Sequence, residues 1–119
     1  MPYVDGFVLP LPKTNVETYL EMARKCGEIW REHGALQYRE CIAEDVKPGK
    51  LTSFPQSVNL EDKETVVFSW IVYESRAHRD DVNEKVMKDP RMTEMMKSET
   101  MPFDSKRMIY GGFDMLVDL

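Results

Sequence analysis

The segment at residues 65–74 constrains the fold more than any other part of this chain. Its sequence, Thr-Val-Val-Phe-Ser-Trp-Ile-Val-Tyr-Glu, places apolar side chains on both sides of an extended strand. Phe68 and Trp70 point to one side, whereas Val67 and Ile71 point to the other. A strand that is apolar on both faces needs cover on both faces. We therefore predict a central strand in a sheet with a packed layer on each side.

Three further segments have the composition of strands. Apolar, β-branched and aromatic residues form short runs or alternate with polar ones at residues 3–9, 36–46 and 107–117. The first run ends in a proline-rich turn, and the last contains Gly111-Gly112, which indicates a bulge or a close approach of another group to the backbone. The chain is therefore predicted to contain a four-stranded sheet.

Two regions have helical patterns. Apolar residues recur at three- and four-residue spacing over 14–33, where Thr14 and Glu17 have the form of a capping box. A second helix is predicted over 76–88, and Asp89 then caps a short helical piece that bears Met92, Met95 and Met96 and ends at Pro102.

The elements follow the order strand, helix, strand, strand, helix, strand. This order is typical of a ferredoxin-like βαββαβ fold, an α+β class with an antiparallel sheet, formed here by one domain over residues 1–119. The two helices can cover only one face of such a sheet. A second copy of the chain is the simplest cover for the other face, so we predict a homodimer.

The charge balance disfavours several classes of partner. Sixteen basic and 21 acidic residues give a net charge of −5, and the basic residues form no run. A nucleic-acid partner is therefore not expected. The two histidines, His33 and His78, lie on different predicted elements without carboxylates at ligand spacing, so no metal site and no cofactor is predicted.

The two cysteines and the hydropathy pattern bear on location. Cys26 and Cys41 fall on a predicted helix and a predicted strand, and buried free thiols are the interpretation we adopt over a disulfide. The N-terminal segment is predicted to be a strand and not a signal peptide, and no apolar run approaches the ~20 residues of a membrane span. We therefore expect a cytoplasmic protein with no membrane partner.

Several short motifs spread over the chain resemble those of a known family. They are Tyr3-Val4-Asp5-Gly6-Phe7, Glu32-His33-Gly34-Ala35, Thr52-Ser53-Phe54-Pro55, Phe68-Ser69-Trp70, Arg76-Ala77-His78-Arg79-Asp80, Asp89-Pro90-Arg91, and Arg107-Met108 with Gly111-Gly112-Phe113. With these residues the chain resembles the YbaA-like proteins, a bacterial family of unknown function in the dimeric α/β barrel superfamily. The resemblance implies a homodimer whose two sheets pack face to face, with a small-molecule cavity between each sheet and its helices.

Two side chains are candidates for proton transfer. His33 has an imidazole that titrates near neutral pH, although a histidine at a helix C-terminus also interacts favourably with the helix dipole. Glu40 lies among Leu36, Tyr38 and Ile42, where an apolar environment would raise its pKa. The alternative for Glu40 is an inward-pointing charge that protects an edge strand from aggregation.

Other residues are candidates for ligand binding. Phe54, Trp70 and Tyr110, together with Ser69, have the composition of an apolar pocket with a few polar atoms, although each aromatic ring also suits plain core packing. Arg79 could hold a carboxylate or phosphate, as could Asn83, Arg91 and Arg107. Exposed ion pairs with nearby aspartates are the alternative for most of these residues.

Two functional classes follow from this sequence. The first is a small-molecule-binding protein or cofactor-independent enzyme of the dimeric α/β barrel type, in which His33 or Glu40 moves a proton. The second is a non-catalytic dimeric binding module that acts through residues 47–64, a long connection containing Ser53-Phe54-Pro55.

Overall fold

A computed structural model describes residues 1–97 and 101–119. Within these residues the chain alternates strands and helices in the predicted order, with one additional short helix before the third strand. The elements are β1 Tyr3–Pro12, α1 Val16–Glu32, β2 Gln37–Ile42, α2 Phe54–Ser57, β3 Glu64–Tyr73, α3 Arg76–Lys88, α4 Pro90–Met96 and β4 Ile109–Asp114. Short 3-10 turns at Lys13–Asn15 and Ser105–Arg107 precede α1 and β4.

The four strands form one antiparallel sheet in the order β2-β3-β1-β4. The central position of β3 agrees with its apolar character on both faces. In the register, Phe7 lies opposite Ser69, and Ser69 lies opposite Glu40 on the outer strand β2. The predicted α+β ferredoxin-like fold is thereby confirmed, with β1 and β3 in the centre.

The helices cover one face of this sheet, which we call the helix face. Tyr73 of β3 and both Val82 and Val86 of α3 are wholly buried there, in a cluster that also includes Ile29 of α1. A second cluster joins Leu9 and Leu11 of β1 to the N-terminal half of α1. Burial of these side chains is the main favourable contribution to folding.

The opposite face, which we call the open face, is covered only in part. Val58, which follows α2, packs with Val8 and Val66 and is almost fully buried. Farther along the same face, Phe68 is 41% exposed and Phe113 is 61% exposed. The connection before β3 therefore shields one part of the open face and leaves aromatic side chains in contact with solvent.

The strand β1 continues beyond the predicted turn at Pro10 and ends at Pro12. A proline inside a central strand removes a donor from the ladder. Here β4 pairs with β1 only as far as Val8, so β1 has a single neighbour, β3, from Pro10 onward. The missing N–H groups can therefore face the side without a paired strand, which is why the prediction of a strand ending at residue 9 was wrong.

The predicted capping box at the start of α1 was also wrong. The chain first makes the 3-10 turn, α1 begins at Val16, and its N-cap residue Asn15 makes no side-chain capping bond. The Asn15 amide instead donates to the carbonyl oxygen of Pro102, at 2.8 Å. The Asn15 side chain is thus bound to a residue distant in sequence and does not cap the helix.

The remaining helices and strands either match their predicted bounds or are shorter than predicted. Helix α3 spans the predicted residues, and the Asp89 side chain accepts from the Arg91 amide at the start of α4. Strands β2 and β4 are shorter than predicted. The predicted continuation of α4 toward Pro102 includes residues 98–100, which lie outside the described residues.

Gly112 marks a close approach, one of the two predicted reasons for the glycine pair. A Cβ atom there would lie 2.2 Å from the hydroxyl oxygen of Tyr3, while the register of β4 against β1 continues past it without a bulge. Across residues 1–97 and 101–119, none of the helices combines the length and the apolar character that crossing a bilayer requires.

Candidate functional site

A cavity of about 240 Å³ lies between α1 and the helix face of the sheet. Its walls come from three parts of the chain: α1, the first three strands, and the segment that leads into β4. Residues whose side chains are apolar dominate its lining, including Phe7, Leu9, Met22, Ile71, Phe103 and Met108. A mostly apolar cavity with a few polar groups has the usual composition of a small-molecule site.

The close packing of α1 on β2 defines one end of this cavity. Tyr19, Ala23, Cys26 and Trp30 line it from α1 at the spacing of one helical face. Gly27 lies directly against β2, and a Cβ atom added there would approach the Tyr38 ring to 2.7 Å. The glycine therefore lets the helix come close enough for its side chains to reach β2.

Glu40 contributes a carboxylate to the lining of this cavity. The Tyr19 hydroxyl donates to its Oε1 at 2.7 Å and the Tyr38 hydroxyl donates to its Oε2 at 3.0 Å. In the part of the chain that the structure describes, no lysine, arginine or histidine forms an ion pair with it. Two neutral donors therefore replace the cation that usually accompanies a buried carboxylate.

This environment raises the pKa of Glu40. Burial, which disfavours the ionised form, is the largest cause, and the hydrogen bonds from Tyr19 and Tyr38 oppose it in part. The raised pKa was predicted from the apolar residues around Glu40. Its outer position on β2 also agrees with the alternative role in protecting an edge strand.

The neighbours of Glu40 are held in their neutral forms. Burial and the nearby carboxylate raise the pKa of the Tyr19 and Tyr38 hydroxyls, and the same causes raise the pKa of the Cys26 thiol to about 11. Cys26 is thus a protonated thiol at neutral pH and a weak nucleophile. The arrangement suits transfer of a proton to or from Glu40 better than covalent catalysis.

The structure places His33 in a different environment. It follows the last turn of α1, and its Nε2 lies 2.8 Å from Oδ2 of Asp89, which Arg91 also contacts at 2.9 Å. His33 is not among the residues that line the Glu40 cavity. The two predicted proton-transfer residues therefore do not share a site.

The four residues predicted to bind a ligand are divided between the two faces of the sheet. Arg79 and Tyr110 line a second cavity on the helix face. Trp70 and Phe54 lie on the open face, where each packs against Phe68 with ring centroids 5.5 and 5.8 Å apart. Because successive strand residues point to opposite sides, Ser69 faces the Glu40 cavity while Trp70 faces away from it.

The tyrosine pair that binds Glu40 is not apparent from the sequence patterns. Tyr19 is one of the regularly spaced residues of α1, and Tyr38 is a neighbour of Glu40 on the same side of β2. A phenolic hydroxyl on an apolar helix face needs a buried partner, and this requirement was the available signal. Cys41, predicted to be buried, is exposed because it lies on the open face of the outer strand β2.

Metal binding has no support from the side-chain arrangement. Among the residues that the structure describes, no cluster of three or more histidine, cysteine, aspartate or glutamate side chains could hold a metal ion.

Several solved structures have a similar fold. An uncharacterized NIPSNAP domain protein from Burkholderia xenovorans superposes with a TM-score of 0.61 at 16% identity, over 94% of this chain and 92% of that one. SnoaB, a cofactor-independent oxygenase from Streptomyces nogalater, superposes with a TM-score of 0.59 at 12% identity, over 99% of this chain and 96% of that one. A dimeric ferredoxin-like protein from an uncultured marine organism superposes with a TM-score of 0.57 at 9% identity, and both chains are wholly covered. These similarities concern the fold.

Sequence comparison gives much nearer relatives. The chain is 52% identical over 118 residues to the uncharacterized protein YbaA of Escherichia coli strain K12, with 99% of both chains covered, and equally to that of Shigella flexneri. The resemblance to YbaA-like proteins is thereby confirmed. A family model matches residues 2–105, and the chain belongs to that family, described as protein of unknown function (DUF1428).

Proposed function

We propose that this protein binds an apolar, enolisable small molecule in the Glu40 cavity and acts on it as a cofactor-independent enzyme. The observation that carries this proposal is a carboxylate bound by two tyrosine hydroxyls in an apolar cavity, without a cationic partner in the described residues. The similar fold of SnoaB, a cofactor-independent oxygenase, supports this class of chemistry by analogy.

The proposed step is a proton transfer. The ionised Glu40 carboxylate takes a proton from the carbon next to a ligand carbonyl, the C–H bond breaks, and its electrons form an enolate. Tyr19 and Tyr38 hold the carboxylate in position during the transfer. A raised pKa strengthens Glu40 as a base and brings it nearer to the neutral pH at which such a group works best.

We assign the proton transfer to Glu40 in preference to His33. The His33 imidazole contacts Asp89 at the end of α1, whereas Glu40 lines a cavity that can hold a ligand. A catalytic base must reach the proton that it removes, and the positions of the two residues therefore support Glu40 over His33.

We further propose that the protein is a homodimer in the cytoplasm. The open face leaves Phe68 and Phe113 partly exposed, and the protein of similar fold from an uncultured marine organism is a dimeric ferredoxin-like protein. Packing of two such faces would bury these rings together with Phe54 and Trp70. The free thiols of Cys26 and Cys41 favour a reducing compartment, and the net charge of −5 disfavours nucleic acid.

The test is deuterium exchange into 2-tetralone, a neutral bicyclic ketone with acidic hydrogens next to its carbonyl. The purified protein is incubated with the ketone in deuterated buffer, and the exchange rate is followed by NMR. We expect wild type to accelerate exchange over buffer and Glu40→Gln to lose about 100-fold or more of this acceleration.

The matched control is Glu44→Gln, because Glu44 is exposed just beyond β2 and its substitution removes the same charge. This variant should exchange the ketone at the wild-type rate. Exchange by wild type at the buffer rate would contradict the enzyme proposal, and full activity in Glu40→Gln would contradict the role of Glu40.

A second function is supported by the connection between β2 and β3. Leu51 is 97% exposed and Phe54 is 48% exposed, so this segment presents apolar side chains to solvent. Such side chains suit a non-catalytic module that binds another molecule through residues 47–64. Leu51→Ser should then abolish partner binding without altering thermal stability, while loss of stability would instead indicate a structural role.

A further inference from the structure

A second cavity lies on the helix face, toward β4 and α3. It has a volume of about 330 Å³ and is lined by polar groups that the Glu40 cavity lacks. These are Asp5 of β1, Tyr73 of β3, Arg79 and Asn83 of α3, and Tyr110 of β4. We call it the Arg79 cavity.

The two cavities adjoin each other. Phe7, Trp30 and Ile71 line both of them. Phe7 lies between Asp5 and Leu9 on the helix face of β1, where Asp5 lines only the Arg79 cavity and Leu9 only the Glu40 cavity. The two volumes therefore meet at these three side chains.

Trp30 is held at this boundary by the polar groups of the Arg79 cavity. Its indole Nε1 donates to the Tyr73 hydroxyl at 3.1 Å and to Asn83 Oδ1 at 3.2 Å. The Tyr73 hydroxyl in turn donates to Asn83 Oδ1 at 3.3 Å. Trp30 is therefore fixed in orientation and presents its aromatic ring to both cavities.

Arg79 lines this cavity, and its guanidinium does not use all of its donors. Its Nη2 donates to the Tyr3 hydroxyl at 3.0 Å, and its guanidinium lies 5.0 Å from the centre of that ring. Its Nε is buried and has no hydrogen-bond partner among the described residues, although Asp5 Oδ1 lies 3.7 Å away. A buried donor without an acceptor is unfavourable, and an oxygen atom from a ligand would relieve it.

The charges in the Arg79 cavity define the type of oxygen. Arg79 and Asp5 contribute opposite charges, and Asp80 lies 3.5 Å from Arg79 Nε on its outer side. Burial raises the pKa of Asp5, while Arg79 lowers it. The Asp5 carboxylate would repel the charge of a ligand carboxylate or phosphate, whereas a neutral hydroxyl or carbonyl oxygen avoids this repulsion.

We infer that the two cavities are one elongated site for a flat apolar compound that carries a neutral oxygen at each end. One oxygen belongs to the reacting ketone near Glu40, and the other, a hydroxyl or carbonyl group, binds Arg79. The inference rests on the proposed function for the end near Glu40. Glu40 and Asp5 are separated by two strand spacings of about 4.8 Å across the sheet and by two residues of about 3.4 Å along the strand. Their backbones are therefore about 12 Å apart, a span that suits several fused rings.

Estrone provides a probe with this form, because it is a fused-ring compound with an enolisable ketone at one end and a hydroxyl at the other. Two analogues change only the distal group: 3-deoxyestrone lacks the hydroxyl, and estrone 3-sulfate carries a charge there. Binding of each to the full chain is measured by equilibrium dialysis, and exchange at the ketone is measured separately in deuterated buffer.

We expect wild type to bind estrone about tenfold more tightly than 3-deoxyestrone, and more tightly than the sulfate. Arg79→Met should abolish the preference for the hydroxyl while keeping the affinity for 3-deoxyestrone. If this variant fails to fold because Asp5 loses its partner, Asp5→Asn/Arg79→Met removes both charges and should give the same result.

Equal binding of estrone and 3-deoxyestrone by wild type would overturn the inference, as would tighter binding of the sulfate or a hydroxyl preference that survives in Arg79→Met. These results are independent of catalysis. Estrone binding with the hydroxyl preference but no deuterium exchange would support the elongated site and contradict the proposed enzyme. Exchange of 2-tetralone without any preference for the estrone hydroxyl would support the proposed enzyme and contradict the elongated site.

Discussion

Two glutamates on the sheet differ in how their charge is accommodated. Glu64, the first residue of β3, is 8% exposed and forms two hydrogen bonds with the Arg107 guanidinium, at 2.8 and 2.7 Å. Glu40 on the neighbouring strand β2 is bound by tyrosine hydroxyls in an apolar cavity. Arg107 lowers the pKa of Glu64, whereas burial raises the pKa of Glu40.

The difference separates a carboxylate that stabilises the fold from the one that we propose as a base. A carboxylate that accepts two hydrogen bonds from one arginine is stabilised in its ionised form and becomes protonated only at low pH. A carboxylate held by neutral donors in an apolar cavity keeps a stronger affinity for a proton. Only the second arrangement leaves a base available to a ligand, which is why we place the chemistry at Glu40.

The largest effect should come from breaking the Glu64 pair. Arg107→Ala leaves the Glu64 carboxylate without a cation, and we expect the free energy of unfolding to fall clearly below that of wild type. Urea denaturation measures this change. Lys106→Ala, an exposed neighbour on the same turn, should alter stability by less than about 0.5 kcal/mol.

The paired groups also contribute apolar packing, so a second variant separates charge from bulk. Glu64→Gln/Arg107→Met removes both charges while retaining most of the side-chain volume, and it should recover a large part of the loss. If Arg107→Ala lowers the free energy of unfolding no more than Lys106→Ala does, the pair is screened by solvent and the contrast with Glu40 fails.

The second effect is a pH dependence with opposite sign at the two glutamates. The folded chain holds the Glu40 proton more tightly than the unfolded chain, so the free energy of unfolding falls as pH rises from the ordinary value of 4.5 to the raised pKa. For Glu64 the pKa is lowered, so stability is complete above 4.5 and is lost as pH falls through the lowered pKa.

Glu40→Gln should therefore remove the loss of stability above pH 4.5, with about 1.4 kcal/mol recovered at neutral pH for each unit of the pKa difference. Urea denaturation from pH 4 to pH 8 gives the profile. Asp5 also has a raised pKa, so Asp5→Asn serves as a comparison, and the two substitutions should flatten the profile additively. A variant profile as steep as that of wild type would contradict the raised pKa of Glu40.

The contrast between the glutamates also indicates what the sequence could predict. The central strand β3, the inward-facing Val82 and Val86 of α3, and the unusual position of Glu40 follow from local patterns, because periodicity reports which side of an element is buried. The Glu64 to Arg107 pair joins residues 43 positions apart, and the bond from Asn15 to Pro102 joins residues 87 positions apart. Such pairings depend on how the elements pack, which a single sequence does not encode locally.

A smaller effect should follow from removing one of the two donors to Glu40. Tyr38→Phe keeps the ring that packs on Gly27 and deletes a hydrogen bond that lowers the pKa of Glu40, so that pKa should rise further. The pH midpoint of 2-tetralone exchange should shift upward by less than about one unit, as expected for one hydrogen bond of roughly 1 kcal/mol.

The matched control is Glu44→Gln, since Glu44 is exposed just beyond β2 and lines neither cavity. Its exchange profile with 2-tetralone should coincide with that of wild type. A midpoint that stays in place or moves downward in Tyr38→Phe would mean that the hydroxyl does not stabilise the ionised Glu40.

The smallest effect is expected at His33, the other residue that the sequence offered for proton transfer. His33→Ala removes a partly exposed imidazole from Asp89, which keeps its contacts with Arg91, so stability should change by less than about 1 kcal/mol. Exchange of 2-tetralone should proceed at the wild-type rate, because His33 does not line the Glu40 cavity. A loss of about tenfold or more in a folded His33→Ala protein would instead assign the proton transfer to the histidine, and the contrast between Glu40 and Glu64 would then describe stability alone.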